Sequence, residues 1–138
     1  MSSALVSGMA VWASVIASVE LDSDHERLQG IWVGQVGRLD AKGRFQGEGY
    51  IEIVFQGNSI TGWKRGHEWL GEGTFSLDPA KKTIDVRGVK GDYRERYLGT
   101  YELRGDELRW ATTRGGPRRA KLPPDNEDDV VLVLRRKK

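Results

Sequence analysis

The chain contains no cysteine. That absence excludes disulfides, thiolate metal sites, thiol nucleophiles and a lipid-bearing cysteine, so the fold has to stand on its apolar core. At 138 residues there is room for one domain of a size that can do so. Histidine is scarce too. His25 and His67 are isolated, with no His-x-His spacing, and make no metal site on their own. The nearest approach to one would join His67 with Glu68 and Asp85, and neither a metal nor another cofactor is expected. No serine stands in a nucleophile-elbow context and no phosphate-cradling glycine loop is present, so no catalytic residue is nominated.

Charge of one sign is also lacking. Twenty-two basic and twenty acidic residues leave a net charge of +2, which demands no polyanionic partner. The basic residues gather at 114–121 (RGGPRRAK) and 135–138 (RRKK), but the acidic stretch 125–129 lies between them and partly cancels their field. Nucleic-acid binding, which needs basic groups converging on one surface, is not expected. Long apolar runs are confined to the start. Residues 1–19 carry no charged side chain, and the segment 1–23 has the length and small residues of an export signal. It is too short and too rich in serine and glycine for a membrane span, although no Lys or Arg stands near Met1. Export to a periplasmic or extracellular space is the expectation, with residues 24–138 forming the domain and no membrane insertion after processing. A segment 1–23 that instead packs as a strand or helix would imply a cytoplasmic protein.

What the chain does have is glycine, eighteen residues or about 13%, roughly double the usual ~7%. Spread singly among aromatic and β-branched residues, these read as turns, bulges and close strand approaches. Ser23 with Glu26 makes a capping-box pattern and Gly30 a stop, which predicts a helix of two turns at most. From Ile31 the apolar period becomes two. Strands are predicted over 31–36, 50–55, 59–64, 69–77, 83–89, 93–104, 107–113 and 130–134, with a polar loop after Val36. About eight short, evenly spaced strands with hairpin turns point to an antiparallel barrel or sandwich, and closure would remove the exposed edges.

Within that pattern Trp69, Gly71, Gly73, Phe75 and Leu77 share one predicted face, as do Tyr93, Glu95, Tyr97, Gly99, Tyr101 and Leu103. The aromatic set Phe55, Trp69, Phe75, Tyr97, Tyr101 and Trp110 is the candidate ligand-binding lining if those faces turn inward. Glycines opposite aromatics either make room for a ligand or let a neighbouring ring fill the space, and an eight-stranded barrel has the width for either outcome. Arg94 and Arg96 lie on the opposite face, where a basic stripe usually solubilises and pairs with residues such as Glu102 and Glu107.

Three stretches carry a resemblance: Leu28-Gln29-Gly30-Ile31-Trp32; Gly73-Thr74-Phe75-Ser76-Leu77-Asp78-Pro79 with Ala80-Lys81-Lys82-Thr83-Ile84-Asp85; and Leu98-Gly99-Thr100-Tyr101-Glu102-Leu103 followed by Gly105-Asp106-Glu107-Leu108. With the closing Val131-Leu132-Val133-Leu134-Arg135, the chain from 28 to 136 resembles a family of small domains abundant in Planctomycetes. That resemblance implies a single lipocalin-like antiparallel barrel with a short N-terminal helix. It implies that Trp32, in Gly30-Ile31-Trp32, is a structural plug at one end of the barrel. It also implies that a basic residue of the last strand lies across the plug, namely Arg135, or Arg136 if the register differs by one. About activity it implies almost nothing. The leading expectation is non-catalytic binding of a small apolar or aromatic molecule inside the barrel. The alternative is a protein-interaction module with a packed core that recognises its partner through its exterior. An enzyme would require an inward-facing ionisable group with a perturbed pKa, and no such group can be picked from the sequence.

Overall fold

The computed structural model describes residues 24–126 and 128–138; the predicted export segment and the Ser23 cap lie outside them. A short helix, α1 (residues 24–28), precedes eight strands. These are β1 (Gly30–Leu39), β2 (Phe45–Gln56), β3 (Ser59–Lys64), β4 (Glu68–Asp78), β5 (Thr83–Gly91), β6 (Arg96–Arg104), β7 (Glu107–Arg114) and β8 (Val130–Arg136). Each pairs antiparallel with its sequence neighbour, and β1 pairs with β8 from Trp32↔Arg136 to Gly37↔Val131 to close the barrel. Alternation makes the closure productive, because every second residue turns inward. The interior holds Trp32, Ile53, Phe55, Ile60, Phe75, Ile84, Val86, Tyr101, Leu108, Trp110, Leu132 and Leu134, capped at one end by Leu28 of α1.

Three β-bulges interrupt the period of two. They fall beside Val36/Gly37, Gly62/Trp63 and Glu72/Gly73. The first lets β1 and β2 run on to Leu39 and Phe45, through the region predicted as a loop. Tyr93 to Glu95 were predicted as strand; they instead form a loop, tied back by Gly88 N–H donating to the Glu95 carbonyl at 2.9 Å. A smaller apolar layer lies outside the barrel. There the segment 115–126 lays Ala120 and Leu122 over Ala111, Val131, Leu39 and Phe45.

Candidate functional site

The two ends of the barrel differ. At the first end α1 is locked over the opening. Trp32 is fully buried and its indole N–H donates to the Leu28 carbonyl at 2.8 Å. Across the ring lies Arg136, not Arg135, with its guanidinium 4.5 Å from the ring centroid. The reason is register: Trp32↔Arg136 pairing puts Arg136 on the inner face, while Arg135 pairs with Val33 and turns outward. Arg136 also donates to the Gln29 carbonyl at 2.8 Å and to the Arg27 carbonyl, so the last strand holds the helix as well as the plug. Gln29 completes the latch with reciprocal bonds to the Gly57 backbone, at 2.6 and 3.0 Å.

Asp24 is the helix residue that reaches the core. Its carboxylate accepts from the Tyr101 hydroxyl at 2.6 Å and from Lys82 Nζ at 2.7 Å. Burial pushes the Asp24 carboxyl up, but the Lys82 and Tyr101 bonds and the Lys82 and Arg27 charges together outweigh it, holding the group below its ordinary value. Burial, and then the hydrogen bond to Asp24, push the Tyr101 phenol well above its ordinary value. Tyr101 is therefore committed to the closed end.

The middle of the barrel is filled by rings. Phe55 meets Phe75 edge-on at 4.9 Å between centroids, and Phe55 lies 6.4 Å from Trp110. Gly99 answers one question left open by the sequence. A Cβ there would collide with the Ala111 carbonyl oxygen and stand 3.1 Å from Trp110 Nε1, so the neighbouring strand's backbone and its indole together occupy the room that this glycine makes. Trp69 was expected in the same lining and is not there. Gly62 pairs with Gly71 and Trp63 with Trp69, so Leu70 is the extra residue of a bulge. Leu70 is buried, the alternation changes phase, and Trp69 is 46% exposed on the outer face opposite Trp63.

The far half of the interior carries a different chemistry. Tyr97 Oη, Trp110 Nε1 and Thr112 Oγ1 are buried with no protein hydrogen-bond partner. All three belong to the inner faces of β6 and β7, whose register is Tyr97↔Arg114, Gly99↔Thr112 and Tyr101↔Trp110. Tyr97 and Thr112 are thus diagonal neighbours, and Trp110 is two residues along the same strand, within the ~7–8 Å that separates diagonal positions. Burial pushes the Tyr97 phenol up, with the Arg114 charge and the nearby Glu95 backbone amide, which lies outside good hydrogen-bond geometry, opposing that shift, so the hydroxyl stays protonated and can donate. The set comprises one obligate donor, the indole N–H, and two hydroxyls that both donate and accept. Thr112 was missed in the sequence, although it continues the inward alternation of Leu108 and Trp110. Asp24 had no comparable signal.

No family model matches the sequence, and no curated protein or solved structure matches it either. Among the described residues no group of three histidine or carboxylate side chains gathers as a metal site. Asp85 is held by Arg119 on the outer face, and His67 lies in the turn between β3 and β4. What stands is a closed barrel with one latched end, a ring-filled middle and, from Trp110 towards Tyr97 and Thr112, polar atoms without protein partners. Such a barrel is consistent with a binding module.

Proposed function

We propose that the protein binds a small aromatic or apolar molecule bearing a hydrogen-bond acceptor, inside the half of the barrel away from α1, and performs no chemistry on it. The observation that carries this reading is the trio Tyr97 Oη, Trp110 Nε1 and Thr112 Oγ1, buried without partners on adjacent strands. Leaving a buried donor unpaired costs about 1–3 kcal/mol. A ligand acceptor that pairs with one or two of them recovers part of that cost, and the rings of Phe55, Phe75 and Trp110 supply an apolar floor. The reading takes the barrel as lipocalin-like and akin to the Planctomycetes family named above; its support is Trp32 under Arg136 at the closed end. Trp69 is left out of the proposed site.

Prodan, an uncharged naphthyl ketone, tests it. The expected result is saturable, blue-shifted emission, weakened about tenfold by combining Tyr97→Phe with Thr112→Val, about the loss of one hydrogen bond. Undiminished binding by the double variant, or no saturation by wild type, overturns the proposal. The exposed Trp69 and Tyr93 favour a second reading, a protein-interaction module recognising its partner through the exterior. Absence of prodan binding together with self-association that Trp69→Ser abolishes would favour it instead.

A further inference from the structure

On the outer face of β4, β5 and β6 lies an open groove of about 610 Å³, whose lining includes Thr74, Ser76, Arg87, Arg94 and Arg96. Its polar groups are placed by the ladder. Thr74 pairs with Arg87 and Arg87 with Arg96, so two guanidiniums of like charge stand directly opposite each other on neighbouring strands. Such a pairing is destabilising in itself, at a spacing of about 5 Å between Cβ atoms. Arg94 joins them from the loop ahead of β6. That loop is seated on β5 because Gly88 has no side chain: a Cβ there would collide with the Tyr93 carbonyl oxygen.

Two carboxylates also border the groove, and both are engaged from elsewhere. Asp85 takes Arg119, which also donates to the Gly99 carbonyl at 3.0 Å, and Glu95 takes Arg114 at 2.9 Å. Arg96 reaches Asp85 only at 4.0 Å, and among the described residues neither Arg87 nor Arg94 has a carboxylate within that range. The groove therefore keeps the charge of its own arginines. Guanidiniums match tetrahedral oxyanions through paired, parallel N–H donors, and the Thr74 and Ser76 hydroxyls offer neutral donors alongside.

We infer that this groove binds a tetrahedral oxyanion, a phosphate or sulfate group carried on a small molecule. The space exceeds what a bare anion fills, which leaves room for the ester's organic part beside the anion. An anion between Arg87 and Arg96 turns their mutual repulsion into shared attraction, and these arginines are distinct from the Tyr97, Trp110 and Thr112 wall.

The test follows the arginine Nε–Hε resonances of the full chain at constant ionic strength, titrating inorganic phosphate, inorganic sulfate and phenyl phosphate separately. Saturable shifts confined to Arg87, Arg94 and Arg96 are expected, with phenyl phosphate binding more tightly than either inorganic anion. Arg87→Gln and Arg94→Gln should each weaken phenyl phosphate about tenfold, the loss of one charge-assisted bond. Arg109→Gln, an outer-face arginine already paired with Glu107, should leave it unchanged. Equal affinity for inorganic phosphate and phenyl phosphate would overturn the ester assignment. Non-saturating shifts spread over all arginines, or equal weakening by Arg109→Gln, would overturn the site itself.

Discussion

Asp24 shows how one carboxylate holds an element that is too short to hold itself. A helix over residues 24–28 lacks the length to be stable alone, and its place depends on Tyr101 and Lys82 meeting at a single oxygen. Because the folded carboxyl sits below its ordinary value, ionisation of Asp24 favours the fold. That contribution is complete above the unfolded value of about 3.9 and is lost as pH falls through the lower folded value. Lys82 stands largely in water, which discounts its share. Asp24→Asn should therefore cost about 1–2 kcal/mol at pH 7, with the gap from wild type closing in acid as the carboxyl protonates in the folded state as well. Urea titrations at pH 7 and in acid check this, and a gap that persists at low pH would mean the charge is not what matters.

Residues 115–126, with 128 and 129, have no regular structure and behave as a strap. Asp129, 1% exposed, accepts from the Thr113 hydroxyl at 2.8 Å and from Arg118 Nη1 at 3.1 Å, while Thr100 Oγ1 donates to the Ala120 carbonyl at 3.1 Å. These bonds press Ala120 onto the outside of β7 and β8. Asp129→Asn strips the charge from this cluster and should cost about 1–3 kcal/mol. Native-state hydrogen exchange should show the Ala120 amide losing protection while Leu108 and Leu132 keep theirs, because the strap is a separate layer from the barrel. Simultaneous loss in all three would show that strap and barrel unfold as one unit.

For the whole molecule the decisive contact is the β1–β8 seam, which joins the start and the end of the described chain. Contacts between residues so distant in sequence are entropically late and slow, so refolding is expected on the millisecond-to-second scale. Arg136→Met removes the guanidinium over Trp32 and its bonds to Gln29 and Arg27. If the seam closes last, stopped-flow tryptophan fluorescence should show unfolding accelerated with the refolding rate nearly unchanged. Slower refolding in proportion to the lost stability would instead place the seam in the folding nucleus.

Sequence alone carried the strand count, the turns and most of the inward faces, because alternation is written locally: Ile53 with Phe55, Ile84 with Val86, and Leu108 with Trp110 each announce one side of a strand. It also placed Trp32 as a buried residue. What it could not carry was phase. One extra residue at Leu70 sends Trp69 outward, and nothing local marks that bulge, since it exists only in the pairing of β4 with β3. The choice of Arg136 over Arg135 depends likewise on the β1–β8 register. The unpartnered wall of Tyr97, Trp110 and Thr112 and the opposed Arg87 and Arg96 depend on which strands become neighbours. Periodicity is a property of the chain, whereas register, bulges and unmet hydrogen bonds are relations between distant segments, and only closure of the barrel fixes them.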